Sequence, residues 1–337
     1  MFSYIAPGAK QYRANLHSHT NLSDGTLTPE QMVQAYQEKG YSILAITDHE
    51  APYDHTALST DDFLMLTGYE AYIRPSPTCG FDLFKPEIHL NLLAKDPHNT
   101  AIIGWDPNFC KYMPLEVAEH QREHKGDLGP RKYSREYIQR FIDTARASGY
   151  LVTYNHPCWS MEAEEDTLSY DGCFSLEVFN TGSEKISGYE CNMALYDKFL
   201  RKGKFLYVHG ADDNHNKAPF GDLMCDSFGS WTLAEELTYP AVIRALEEGR
   251  FYATTGPEIT ELTFDGSHVR IGCSPAQRIV VHGSPKLGKS FYNPDGSPIT
   301  HAELDLPPIG EYVYFSVYTA DGKAAHTRAF RRAELAE

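Results

Sequence analysis

Two histidines one residue apart, His17 and His19, open the stretch that most limits what this chain can fold into. Residues 15–50 read NLHSHTNLSDGTLTPEQMVQAYQEKGYSILAITDHE. On a strand, the period of two aims both imidazoles at one face and Ser18 at the other. Asp24 follows in a Ser-Asp-Gly turn, and Asp48-His49 closes the apolar run SILAIT. Between them, Thr28 reads as an N-cap, Pro29 as the first helical residue and Gln31 as a capping-box partner. Met32, Val33, Ala35 and Tyr36 supply an apolar helix face and Gly40 a C-cap. The segment is therefore expected to be strand, turn, helix and buried strand, with polar residues gathered after each strand. A lone histidine on a strand is more often structural. Two at this spacing, joined by Asp24 and His49, point instead to a metal site built from nitrogen and oxygen donors.

The same rhythm recurs along the chain. Phe63 to Leu66 leads to Glu70, and Ile88 to Ala94 carries His89. After a helical stretch, Ser134 to Ala147, the run Tyr150 to Tyr154 meets Asn155-His156-Pro157. Phe174 to Phe179 contains Glu177, a helix near Tyr189 to Arg201 follows, and Phe205 to His209 leads to Asp212, Asp213 and His215. Alternating strands and helices predict an α/β fold with a mostly parallel sheet, and about seven strands suggest a distorted (β/α)7 barrel with its site at the strand ends. Residues 96–131 interrupt the rhythm as an insertion, either a substrate lid or a solvated excursion. Past Thr254-Thr255-Gly256-Pro257 the texture changes to short strands and Asp-Gly turns. The expected division is 1–256 for the α/β part and 257–337 for a small β-rich, sandwich-like appendage.

Composition removes several function classes. With 30 Lys and Arg against 46 Asp and Glu, the net charge of −16 speaks against a nucleic-acid surface. No apolar run reaches membrane-spanning length, and the N-terminus lacks a signal-peptide pattern, so no membrane partner and a cytoplasmic location are expected. The seven cysteines, at 79, 110, 158, 173, 191, 225 and 273, contain no Cys-x-x-Cys pair. They read as reduced, mostly buried thiols.

The successive segments HSHTNLSDG, ITDHE, GYE, EIHLN, YNHP and ADDNH resemble the motifs of the polymerase and histidinol phosphatase (PHP) family of metal-dependent hydrolases. The resemblance spans about residues 11 to 256. It implies a distorted seven-stranded barrel holding three divalent ions, Zn, Mn or Fe. The implied ligands are His17, His19, Asp24, His49, Glu70, His89, His156, Asp213 and His215. His17, His19 and Asp213 would hold one ion, His89 and His156 a second with Glu70 bridging, and Asp24, His49 and His215 a third. The last three are also the expected catalytic residues. Asp48 and Asp212 are expected as neighbours that orient the ligands. The stretch AVIRALEEGRFYATTGPEI and the tail ADGKAAHTRAF are similar to a subgroup related to carbaryl hydrolase.

The expected activity is hydrolysis of a small phosphomonoester or phosphodiester, nucleotide-like molecules among the candidates, by a hydroxide shared between metals. The same hydroxide can attack an acyl carbon, which keeps carboxyl-ester or carbamate hydrolysis open. A non-catalytic metal-binding module is a further alternative, although such degeneration would remove ligands and none is missing. The expected partner is a small phosphorylated molecule; oligomeric state is not legible. Arg74, Arg131 and Asn180 are candidate substrate contacts, each with a bland alternative as a surface charge or loop hydrogen bond. Glu177 lies at a strand end facing the site. Trp105 and Trp159 can stack an aromatic group or simply pack in the core. His120, His124, His209 and the C-terminal histidines match no motif.

Overall fold

The computed structural model describes residues 2–75, 85–189, 192–217, 229–284, 286–308 and 310–335. Its α/β part begins with β1 (Phe2–Ile5), β2 (Tyr12–Asn15), α1 (Pro29–Glu38), β3 (Ile43–Ile46), β4 (Leu64–Ile73) and β5 (Ile88–Ala94). A two-stranded ladder, β6 (Ile102–Ile103) with β7 (His124–Lys125), brackets the short helix α2 (Leu115–His120). Then come α3 (Arg135–Ala147), β8 (Tyr150–Tyr154), α4 (Pro157–Ser160), α5 (Glu164–Thr167), β9 (Ser175–Asn180), α6 (Met193–Arg201) and β10 (Tyr207–Ala211). The remainder is β11 (Gly229–Thr232), α7 (Tyr239–Glu247), β12 (Phe251–Thr254), β13 (Ile259–Asp265), β14 (His268–Ala276), β15 (Arg278–Gly283), β16 (Leu287–Phe291), β17 (Ile299–Asp305), β18 (Tyr312–Tyr318), β19 (Ala324–Thr327) and β20 (Phe330–Arg331).

The molecule is a mixed α/β structure with one large sheet in the order β10-β9-β8-β5-β4-β3-β2-β11-β12-β19-β18-β15-β16, with β20 beside β18. The βαβ unit forms as its sequence dictates. Thr28 accepts from the Gln31 amide at 3.3 Å and its own amide donates to the Gln31 side chain at 2.9 Å, closing the capping box around Pro29. Met32, Val33 and Tyr36 bury their side chains against Ile46, Phe63 and Met65. Each such burial contributes about 1.5–3 kcal/mol. Gly40 ends the helix at φ +76°, a conformation that glycine adopts without strain.

One direction departs from the expected rhythm. β2, β3 and β4 run parallel, as do β8, β9 and β10, but β5 is antiparallel to both β4 and β8. Its first residues therefore lie beside the last residues of its neighbours, and His89 reaches the common end of the sheet from the start of a strand. An all-buried strand carries a continuous apolar run whichever way it points, so the pattern ILAI or IHLNLLA has no direction in it. Beyond the regular ladders, Ser18 and Asn214 form a parallel bridge, and the amides of His19 and Asp213 donate to Asn214 and His17 carbonyls at 2.8 and 3.1 Å. The segments that follow β2 and β10 thus touch at the polar end of the sheet.

A second sheet, β1-β13-β14-β17, faces the β15, β18 and β19 strands of the large sheet across an apolar cluster that includes Tyr4, Leu262, Phe264, Ile271, Phe315 and Phe330. The N-terminal strand β1 is part of this layer, paired antiparallel with β13. Of the cysteines, Cys110 and Cys273 are buried, Cys173 is half-buried and Cys158 exposed, all unpaired; Cys79, Cys191 and Cys225 lie outside the described residues.

Candidate metal centre

Glu70, seven residues into the fully buried strand β4, is the hub on which the polar strand ends converge. Its two carboxylate oxygens lie 3.2 Å from His17 Nε2, 3.4 Å from His19 Nε2, 3.0 Å from His49 Nδ1, 3.1 Å from His89 Nδ1 and 3.3 Å from His156 Nε2. Asp213 Oδ1 stands 3.3 Å from His17 Nε2 and 3.1 Å from His19 Nε2. Asp24 Oδ1 stands 3.2 Å from His215 Nε2 and 3.8 Å from His49 Nε2. Donor atoms fall into four groups that could each hold an ion: His19, Asp24, His49 and His215; His17, Glu70 and His156; His17, His19 and Asp213; His49, Glu70 and His89. All nine residues singled out from the sequence are brought together, and Glu70 belongs to two of the groups.

The donor geometry fits divalent cations. His17 Nε2 and His19 Nε2 face each other at 3.1 Å. Two nitrogens each about 2.1 Å from one tetrahedral or octahedral ion are about 3 Å apart. The spacing suits a cation shared by both nitrogens as well as one ring donating to the other. Three of the far ring nitrogens are oriented from behind, as those of ligating histidines usually are, while His19 Nδ1 and His156 Nδ1 have no hydrogen-bond partner among the described residues. His17 Nδ1 meets Glu177 Oε1 at 2.9 Å, His215 Nδ1 meets the Asp213 carbonyl at 2.9 Å, and His89 Nε2 lies 3.5 Å from Glu87 Oε1.

Charge compensation follows from the same packing. Burial opposes ionisation of His89, but Glu70 and Glu87 outweigh it and push its pKa up to about 10. Burial likewise opposes a charge on His17, yet Asp213, Glu70 and Glu177 raise it well above the ordinary imidazole range. His19 goes the other way, down to about 4, because burial and the neighbouring His215 and His49 disfavour a further positive charge. Burial would raise Glu70 and Asp213, but the surrounding histidines hold both carboxylates low. The pocket is a dense set of anions that calls for cations.

Local backbone geometry has been bent to serve it. His156 at φ +23°, Asp213 at φ +53° and Glu50, next to His49, at φ +54° are non-glycine residues held in the left-handed region. Each such residue costs about 1–3 kcal/mol, which the surrounding fold must offset. Asp48 anchors the Thr20–Asp24 turn, accepting from the Thr20 amide at 2.7 Å and from the Thr20 and Ser23 hydroxyls at 2.6 and 2.5 Å. Asp212 accepts from the Tyr36 hydroxyl at 2.6 Å, which ties α1 to the strand end that presents Asp213.

The three substrate candidates fare differently. Arg131 is buried and committed to Glu50, donating to both carboxylate oxygens and to the carbonyls of Tyr72, Gly104 and Ile103. Those bonds clamp the end of the 96–131 segment to Glu50, the residue after His49. Asn180 is buried, donating to Glu177 at 2.7 Å and accepting from the Ser183 amide at 2.7 Å. Arg74 is partly exposed, 3.8 Å from Glu87 and 5.0 Å over the Tyr72 ring. Trp105 stacks on His124 at 5.1 Å inside the small apolar cluster of the insertion. Glu87 was not singled out from the sequence. Its signal was available, because Glu87-Ile88-His89 places it one strand period before a ligand.

Comparison with known proteins gives one family. The PHP domain family matches residues 15–146, fewer than half of the residues of the chain. No curated protein matches the sequence. Among solved structures, a two-domain protein from Bacteroides vulgatus containing a predicted PHP-like metal-dependent phosphoesterase is 15% identical, with 97% of this chain and 98% of that one covered and a TM-score of 0.45. A candidate metal-dependent phosphoesterase from Bifidobacterium adolescentis is 18% identical, covering 60% and 87%, at 0.37. An amidohydrolase from Chromobacterium violaceum, with bound sulfate and no metal, is 17% identical, covering 71% and 96%, at 0.41.

Proposed function

We propose that this protein, whose residues 15–146 match the PHP domain family, is a metal-dependent hydrolase of small phosphomonoesters or phosphodiesters. The observation that carries the reading is the convergence of five histidines on the one buried carboxylate Glu70, flanked by Asp213 and Asp24. Three ions, Zn, Mn or Fe, would be shared out as His17, His19 and Asp213; His89, His156 and Glu70; and Asp24, His49 and His215. The donor group of His17, His19 and Asp213 and that of His19, Asp24, His49 and His215 support the first and third of these, while His156 and His89 each join Glu70 in separate groups, with His17 and with His49. Bound divalent ions supply two things: water made acidic enough to ionise near neutral pH, and positive charge for the oxygens of a phosphoryl group.

The chain's own residues do the rest. Glu177 holds the His17 ring from behind and also accepts from the His156 amide at 2.8 Å, so one buried carboxylate fixes two ligands. Asn155 donates to Glu70 at 2.8 Å and orients the hub. Asp24, His49 and His215 form the partly exposed side of the cluster, from which a substrate would approach. Lys217, 3.0 Å from Asp24, is the cation nearest that opening among the described residues.

The architecture we propose for this function is a distorted seven-stranded barrel of β2, β3, β4, β5, β8, β9 and β10, supported by the Ser18–Asn214 bridge between the segments after the first and last of them. Residues 1–256 would carry the chemistry and 257–337 the β-rich appendage. No described helix is long and apolar enough to cross a membrane; a cytoplasmic location and a small phosphorylated partner belong to the proposal.

The test is to measure bound metal per chain and then assay the loaded protein side by side on phosphomonoesters, phosphodiesters, carboxyl esters and carbamates. Turnover of phosphoesters that chelation abolishes and metal restores is the expected result. Turnover confined to the carboxyl esters or carbamates would replace the phosphoesterase reading.

A further inference from the structure

Three aromatic rings stand around the side of the cluster formed by His49 and His89. Tyr72 is buried, its centroid 5.7 Å from each of those two imidazoles. Tyr112 comes from the 96–131 segment and lies 6.1 Å from His49 with the ring planes 25° apart. Trp159, on α4 just after His156, meets His89 at 5.2 Å and His156 at 5.0 Å, edge-on to both.

Two of these rings are not used up by packing. Tyr112 is 39% exposed, one of the large apolar side chains left at the surface among the described residues. Trp159 is half-buried. Yet Tyr112 does not sit on a loose tip. Cys110 and Met113, on either side of it, are buried with Ala51, Ile102 and Ala118, and the Tyr72 hydroxyl donates to the Phe109 carbonyl at 3.2 Å. The Arg131–Glu50 clamp fixes the far end of the same segment. Two half-exposed rings are thus held rigidly beside candidate ligands, a costly arrangement for an acidic surface unless a partner covers them.

Resting on the hydrolase reading above, we infer that Tyr112 and Trp159 form the two walls of a substrate subsite, and that the group they take is a flat aromatic ring attached to the scissile ester. Tyr112 lies beside His49 and Trp159 beside His89, and stacking on either ring needs only a π-face of the ligand, not a particular hydrogen-bond pattern. Arg131 has no part in this recognition beyond holding the segment that delivers Tyr112.

The experiment uses the full chain loaded with Mn2+ or Zn2+ and two non-hydrolysable probes, benzylphosphonate and ethylphosphonate, titrated by calorimetry. Both offer the same phosphonate to the metals and differ only in the ring. The wild-type protein is expected to bind benzylphosphonate about tenfold more tightly. In Tyr112→Ala and in Trp159→Ala, checked for unchanged metal content, that advantage shrinks to under threefold. Equal affinities in the wild type, or an advantage that survives both substitutions, overturn the subsite while leaving the hydrolase reading in place. Failure of both phosphonates to bind the metal-loaded protein overturns the phosphoester reading and the subsite with it. Should Trp159→Ala lose its metal through damage to the adjacent His156, the exposed Tyr112 decides the matter alone.

Discussion

Buried histidines in this molecule are driven in opposite directions by the charges beside them, His19 down by burial and its histidine neighbours even within the cluster. Between the strands that follow the cluster, His326 is fully enclosed, stacked on Phe179 at 5.3 Å and bonded through Nδ1 to the Ser316 hydroxyl at 2.7 Å. Burial and the nearby His282 push its pKa down to about 3. His209, bonded to Ser175 at 2.9 Å, is likewise driven down by burial, to about 4. His17 and His89 are just as deeply buried, yet Glu70 and its fellow carboxylates drive them up. Depth alone therefore does not make a site. A histidine with a hydroxyl for company is a neutral core residue, whereas one with converging carboxylates belongs to a place that demands positive charge.

That contrast can be broken or sharpened by substitution. The largest effect is expected from Glu70→Gln, which removes the negative charge common to two donor groups. Bound metal measured by elemental analysis should fall by at least one ion per chain and hydrolytic activity by about a thousandfold or more. Full metal content and activity in this variant would contradict the convergence argument. Next comes Arg131→Met, which strands Glu50 in the interior. Breaking one side of a buried pair costs about 3–5 kcal/mol, read as a lower denaturant midpoint. Glu177→Gln keeps the shape but weakens the hold on His17, and metal affinity measured by competition with a chelator should drop about 10–100-fold.

The smallest effect at neutral pH is expected from His326→Phe, about 1 kcal/mol from the unpaired Ser316, with metal content unchanged. Its signature lies in acid. Because the folded-state pKa of His326 is depressed, its neutral form contributes stability that is present above about 6.5 and lost as pH falls toward about 3. Thermal melts at pH 7.5 and pH 5 should therefore differ less in the variant than in the wild type. An unchanged difference would mean that His326 takes up its proton equally in the folded and the unfolded chain.

How much of this was readable in advance varies with the physics. His17, His19, Asp24 and His49 were legible because strand periodicity and strand ends fix where short motifs point, whereas the full set of nine came from the resemblance of the successive motifs to the PHP family. Helix α1 was legible down to its capping box, since Thr28, Pro29 and Gln31 act through contacts three residues apart. The reversed strand β5 was not, because direction resides in pairing rather than in the apolar pattern. Nor was the role of Arg131, whose partner Glu50 is 81 residues away. Tyr112 gave no signal, since its position depends on the packing of Cys110 and Met113 beside residue Ala51.

The pairing of β1 with β13 has a consequence for the order of assembly. Phe2 lies opposite Phe264, and the Tyr4 hydroxyl donates to the Phe251 carbonyl at 2.5 Å, across 247 positions of chain. Contacts of such separation form late, after most of the loop-closure entropy has been met. Residues Phe2–Ile5 must therefore wait, without their strand partner, until Ile259–Asp265 has been synthesised, while the βαβ unit beginning at Tyr12 can already fold behind them.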